Sequence, residues 1–324
     1  MTGTLVQQTY QAGPVGPEFR ITAVGYEAWI SQVGATINTF THEGNPLVAG
    51  FGPDSPSYDG RGQVLAPWPN RVQDGRYVVD GVERQLALTE PDRSNALHGL
   101  VRWQPWRLKD YADDSVTLAW RLYPQQGWDW TLDMQVTYAV GEGGLTVDVT
   151  ARNGGTGVAP FGYGVHPYLM AGEATVDELT LTVPADSVCE MDLDQLVPVT
   201  GSARTSLRPV EQTGLDFRAP RSLDGAKLDA AFTSLPAQWV VRLDGPRAVE
   251  LWADAAFPWA QVFTGDSLPA GRARNTGVAV EPMTCPPNAL ATGEWLIHLH
   301  PRQEWRGTWG IRPGRDQRRG LLQP

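Results

Sequence analysis

The stretch WTLDMQVTYAVGEGGLTVDVT, residues 130–150, decides the fold class. Trp130, Leu132, Met134, Val136, Tyr138 and Val140 alternate with Thr131, Asp133, Gln135, Thr137 and Ala139. After GEGG at 141–144, Leu145, Val147 and Val149 alternate with Thr146, Asp148 and Thr150. Period-2 patterning on both sides of a glycine turn predicts a β-hairpin with one face buried. Outward from it the pattern persists. Val116, Leu118, Trp120 and Leu122 form another alternating run. Asp80-Gly81 lies between YVV and VERQLAL, and Asp244-Gly245 between WVVRL and PRAVELW, both tight-turn signals between strand formers. No long segment holds apolar residues at helical spacing between a cap and a stop. The 35 glycines and 26 prolines are scattered, as many turns require. The expectation is an all-β chain: one large antiparallel β-sandwich over residues 1–311, followed by a loose basic tail at 312–324.

Bulk properties narrow the function. A chain of 324 residues, 41% hydrophobic and 19% charged, is globular and long enough for a sizeable core. Its formal charge of −10 argues against nucleic acid or an anionic membrane surface as partner. Cys189 and Cys285 are the only cysteines, too few for a disulfide framework or a zinc cluster. The N-terminus lacks the pattern of a signal peptide, and no apolar run reaches membrane-spanning length. A cytoplasmic protein is the expectation. The 13 tryptophans serve mainly as packing, although aromatic rings also suit the C–H face of a sugar.

Several chemistries find no motif. There is no phosphate-cradling P-loop, no GxGxxG after a strand and no GxSxG elbow. His298 and His300 share a strand face, but no third metal ligand accompanies them, so no metal site is assigned.

Five places remain. His166, in GYGVHPYL, follows two glycines that permit close approach and precedes a proline that biases its backbone toward extension. A histidine so held, with an ordinary pKa near 6.5, can give or take a proton, or it can be a satisfied core residue. His98, in NALHGLVR, reads equally as the satisfied end of a strand. Glu281 ends an apolar strand before three prolines in VEPMTCPPN. A carboxylate there is costly unless it is paired or used. Arg71 beside Asn70 offers a planar fork of donors for hydroxyls or a carboxylate. Asp229, in LDAAF, is an acid between apolar residues, with a surface turn as the alternative.

In order, NRVQDGRY, HGLVRWQPW, GYGVHPYL, LDAAF and VEPMTCPPNAL resemble the aldose 1-epimerase (galactose mutarotase) family over roughly residues 20 to 310. The resemblance implies the family's galactose mutarotase-like supersandwich and interconversion of the α and β anomers of a free aldose. It implies that Glu281 is the general base, His166 the general acid, and His98 a group against the ring and anomeric oxygens. Arg71 and Asp229 would hold sugar hydroxyls, with Asn70 beside them. Ring opening removes a proton from the C1 hydroxyl and delivers one to the ring oxygen, so two shuttles on opposite sides of the sugar suffice, with no cofactor. A monosaccharide is the expected partner. Three alternatives stay open. A hexose-6-phosphate 1-epimerase would use Arg93 and Arg102, which flank His98. A non-catalytic sugar-binding protein on the same scaffold would need no matched acid and base. A glycosidase would need a second carboxylate across the bond.

Overall fold

The computed structural model describes residues 13–314 apart from 53, 202, 203 and 276. The decisive stretch forms strands Leu132–Gly141 and Gly144–Asn153, paired antiparallel from Leu132↔Asn153 to Gly141↔Gly144. Gly144 closes the turn at φ +94°, where L side chains are rare and a Cβ would lie 2.5 Å from the Ile311 carbonyl oxygen. Alternate side chains of the first strand are buried from Leu132 to Val140, as the period requires. Each such aliphatic contributes roughly 1.5–3 kcal/mol, and a one-residue slip would turn the whole row to solvent. Asp80 and Gly81, both at positive φ, join strands Arg76–Val79 and Val82–Gln85 as the Asp-Gly signal predicts. The Asp244-Gly245 signal likewise precedes the turn between Trp239–Asp244 and Ala248–Ala253.

Two large antiparallel sheets dominate the chain. A nine-stranded sheet carries the hairpin near its middle, and a twelve-stranded sheet carries the strands that matter for chemistry. The strand Glu304–Pro313 inserts between Gly144–Asn153 and Ala248–Ala253, joining early and late parts of the chain. It runs through Arg312 and Pro313, two residues into the segment read as a tail; residues 315–324 lie outside the described residues. The only α-helix among the described residues is the four-residue Ala289–Thr292. Among the described residues no helix is long and apolar enough to cross a membrane.

The apolar faces meet in one continuous core that includes Val136, Tyr138, Trp106, Trp128, Trp239 and Trp309. The Tyr138 hydroxyl donates to the Ala35 carbonyl at 2.6 Å, so its burial leaves no orphaned donor.

Within the twelve-stranded sheet, Val278–Met283 is a central strand, buried throughout. On one side it pairs with Trp259–Phe263, which pairs in turn with Asp229–Thr233. On its other side lie the short strands Gly164–Val165 and Tyr168–Leu169. This arrangement builds the cleft.

Candidate active site

Register explains how distant residues meet. Gly164 pairs with Met283 and Tyr168 with Ala279. Both pairs belong to one antiparallel register, which sets His166 opposite Glu281. Across the next strand boundary Glu281 pairs directly with Gln261. Asp229 lies two residues from Ala231, the partner of Gln261, and therefore on the same face. Gln261 Nε2 donates to Asp229 Oδ1 at 2.5 Å. A polar row of His166, Glu281, Gln261 and Asp229 thus crosses neighbouring segments that are otherwise largely apolar.

Asn70, Arg71 and His98 come from a second device, the small sheet in which Arg71 pairs with Leu97. That register puts Asn70 beside His98. Both have left-handed backbones, at φ +57° and +63°. The Asn70 N–H donates to His98 Nδ1 at 3.1 Å, and the His98 N–H donates to the Asn70 carbonyl at 2.8 Å. Accepting at Nδ1 leaves the hydrogen of a neutral His98 on Nε2. The glycine after His98 is obligatory, because a Cβ on Gly99 would lie 2.0 Å from the Ala66 carbonyl oxygen.

These residues line a half-open cleft of about 160 Å³ together with Asp59, Gly60, Arg102, Tyr168 and Phe263. All six residues singled out in the sequence are brought together there. No tryptophan lines this cleft. A larger depression of about 670 Å³ on the nine-stranded sheet has no histidine and is crossed by the exposed Arg121–Asp133 pair.

At the floor, His166 Nε2 lies 3.3 Å from Glu281 Oε1. The two groups are neighbours, not partners set on opposite sides of a sugar, because they face each other across one strand boundary. The His166 ring stacks on Tyr168 at 5.0 Å and meets His98 edge-on at 5.4 Å. Gly60 covers it, with space so tight that a Cβ would come within 2.9 Å of His166 Cδ2. The imidazole is held on three sides.

Burial drives both members of the pair toward neutrality. His166 falls to about 3, first through burial; its own main-chain carbonyl works the other way, and the charges of Arg102, Arg61 and Arg71 add to the fall. Glu281 rises well above the usual carboxylate range, through burial and then the neighbouring Asp229, with Arg71 opposing. His98 is pushed well down by burial, His166 and the nearby arginines. A buried acid and base that each resist charging share one proton between them.

Arg71 is fixed as a fork. Its Nε and Nη2 donate to the two oxygens of Glu90 at 2.9 and 3.1 Å, while Nη1 lies 3.6 Å from Asp229. Burial alone would lower its pKa, but Glu90 and Asp229 hold it above its ordinary value. Sequence reasoning missed Glu90, Gln261 and Tyr168. Gln261 had a signal, being the one polar residue in the apolar run WAQVF. Tyr168 stood within GYGVHPYL without being singled out, and Glu90 had no local signal. Elsewhere, His298 and His300 are both exposed and flank the buried Leu299. No group of three metal-binding side chains occurs among the described residues. Arg93 pairs with Glu90 at 3.4 Å and does not line the cleft.

Known proteins share this frame. The chain is 34% identical over 288 residues to the uncharacterized protein YihR of Escherichia coli K12, covering 88% of this chain and 89% of that one. It is 31% identical to the galactose mutarotase of Homo sapiens, but over only 50% of this chain and 46% of that one. Among solved structures, the GalM/aldose epimerase homologue from C. elegans superposes with a TM-score of 0.79 at 21% identity, over 92% of this chain and 99% of that one. The galactose 1-epimerase from Lactobacillus acidophilus gives 0.73 at 19% identity, over 91% and 93%. The fold is thus galactose mutarotase-like, nearly all β. With the aldose 1-epimerase family model matching residues 17–312, the chain belongs to the aldose 1-epimerase family.

Proposed function

We propose that this protein interconverts the α and β anomers of an aldose by opening and reclosing its hemiacetal ring. One observation carries the reading: His166 and Glu281 lie 3.3 Å apart at the floor of a cleft lined by hydrogen-bonding groups. The C1 hydroxyl oxygen and the ring oxygen are bonded to the same carbon. The two atoms that must exchange protons are therefore side by side, and an adjacent acid and base serve both.

In the opening step Glu281 takes the proton of the C1 hydroxyl as the C1=O bond forms. The C1–O5 bond breaks, and His166 delivers its proton to O5. The pair passes from carboxylate and imidazolium to carboxylic acid and neutral imidazole, the form that burial favours. Rotation about C1–C2 presents the other aldehyde face, and the same proton transfers in reverse close the ring. The raised pKa of Glu281 makes its carboxylate a stronger base than a free one, and the lowered pKa of His166 makes its imidazolium a stronger acid. His98, with its hydrogen on Nε2, donates to the ring and anomeric oxygens. Arg71 and Asp229 hold hydroxyls and oppose each other's charge.

The test is polarimetry on freshly dissolved single anomers. Glu281→Gln should lose exchange by at least the roughly 10²-fold ascribed to one general acid–base group. A fully active Glu281→Gln protein would remove the mechanism.

A further inference from the structure

Beside the proton pair lies a buried aromatic face. Tyr168 follows His166 by two residues, and the intervening Pro167 favours an extended backbone at His166, so the two rings emerge side by side. They lie nearly parallel, 14° apart with centroids 5.0 Å apart, which is an offset stack. Room for the phenol comes from Ala49 and from Ala279, its cross-strand partner. Tyr168 is fully buried, and two groups fix it. Its hydroxyl donates to the Asp59 carbonyl at 3.3 Å. The Arg61 guanidinium lies over the ring, 4.9 Å from its centroid, and is itself tied down by donating to the Gly50 carbonyl at 3.0 Å. The hydroxyl is no proton carrier at neutral pH, because burial first, and then Glu281 and Asp59, hold it protonated.

What the stack contributes depends on the charge of His166. A neutral imidazole gains ordinary packing. An imidazolium is also attracted to the negative face of the phenol ring, most strongly where water is excluded. The other groups around this imidazole act differently. Arg102, Arg61 and Arg71 oppose its charge. His98 meets it edge-on and is itself held neutral, and Glu281 is the partner in proton exchange. Resting on the epimerase reading, we propose that Tyr168 is a positioning residue for ring opening: its face sets the plane of the His166 imidazole and stabilises the imidazolium, drawing the proton shared with Glu281 to the nitrogen that must deliver it to O5. Burial favours the carboxylic acid and neutral imidazole, whereas opening starts from carboxylate and imidazolium. Any stabilisation of the imidazolium therefore raises the fraction of the pair that is ready to react. Only part of it reaches the rate, because the imidazolium loses charge as its proton moves to O5.

The experiment places phenylalanine and then mono-, di- and trifluorinated phenylalanine at position 168. Anomer exchange is measured at equilibrium by two-dimensional NMR on whichever of glucose, galactose, xylose and glucuronate the unaltered protein exchanges fastest. Fluorine withdraws charge from the ring face with little change of shape. Tyr168→Phe keeps the face, drops the hydroxyl, and should retain at least about a third of kcat. Fluorination should then lower kcat stepwise, by about two- to fivefold over the series, with KM within about twofold. Tyr168→Met fills similar space without a π-face and serves where a fluorinated ring packs badly: kcat should fall about five- to tenfold at steady KM. A flat fluorine series overturns the proposal, as does a Met protein as fast as the Phe protein. A Phe protein as slow as the Met protein overturns it too, since the hydroxyl would then be the working part. So does a rise in KM with kcat unmoved, which would make Tyr168 a substrate contact. In each of those cases exchange by the unaltered protein leaves the epimerase reading standing. Acceleration of none of the four sugars removes both.

Discussion

Replacing Glu281 by glutamine should make the protein more stable at neutral pH. The carboxyl is 2% exposed, its Oε2 meets no hydrogen-bond donor, and its pKa lies well above 4.5 because burial and Asp229 disfavour the charge. In the unfolded chain it ionises near the ordinary value. Between pH 4.5 and its folded pKa the native state therefore binds more protons than the unfolded state, and stability falls as pH rises. From 4.5 to 7 is about 2.5 pH units at about 1.4 kcal/mol each, a ceiling of roughly 3–4 kcal/mol. Glutamine has nearly the same shape, can donate to His166 Nε2, and has no charge to suppress. Urea unfolding of both proteins at pH 4.5 and pH 7 isolates the effect, because the other titrating groups cancel between them. The variant should gain between about 1 and 3 kcal/mol at pH 7 and close to none at pH 4.5. A variant less stable than the parent at pH 7, or offset equally at both pH values, would refute the argument that Glu281 is held against its preferred charge.

The acid limb of the pH dependence of kcat/KM should not lie at the 6.5 of a free imidazole. Exchange needs one proton on the His166–Glu281 pair, so activity should rise through an acid limb near pH 3 and fall through an alkaline limb well above 4.5; an acid limb at 6.5 would mean a freely titrating histidine. Gly60→Ala should slow exchange about ten- to a hundredfold, because its Cβ would press within 2.9 Å of His166 Cδ2. It should also cost roughly 1–2 kcal/mol for an alanine at φ +72°. Gly44→Ala, at φ +75° with nothing within 4 Å, is the control: a similar loss of stability with normal exchange.

Much of the fold was legible because the signals are local. Alternation from Trp130 to Thr150 sets a strand period, and a glycine pair or an Asp-Gly sets the turn, so neighbouring strands could be paired from sequence. Two candidate side chains also stood out locally, a carboxylate ending an apolar strand and a histidine between glycines and a proline, whereas His98 and Asp229 drew their roles from the family resemblance. Pairings between remote strands were not legible. Nothing near Glu281 announces that the partner strand will bring His166 opposite it, nor that Gln261 will link it toward Asp229. The tryptophans read mainly as packing, and size and burial in the core account for Trp68, Trp106, Trp128, Trp239, Trp259 and Trp309 without any ligand. Charge pairing is similarly invisible: of the two arginines that flank His98, Arg93 finds Glu90, while Arg102 has no carboxylate within ion-pair distance among the described residues.

The opposed positions of His166 and Glu281 have a consequence for the chemistry proposed for this fold. Side chains opposite each other in an antiparallel ladder are held a fixed few ångströms apart by the backbone itself. A pair made this way needs little side-chain reach and little reorganisation, unlike one assembled from two loops. The same position, with Glu281 inside a buried strand and His166 in the break between Gly164–Val165 and Tyr168–Leu169, strips both groups of water and opposes charge on each. The sheet therefore supplies proximity and pKa adjustment through one feature, its register. That feature also makes the pair sensitive to the sheet: a shift of one residue between Tyr168–Leu169 and Val278–Met283 would turn Glu281 away from His166 while preserving every apolar residue in the chain.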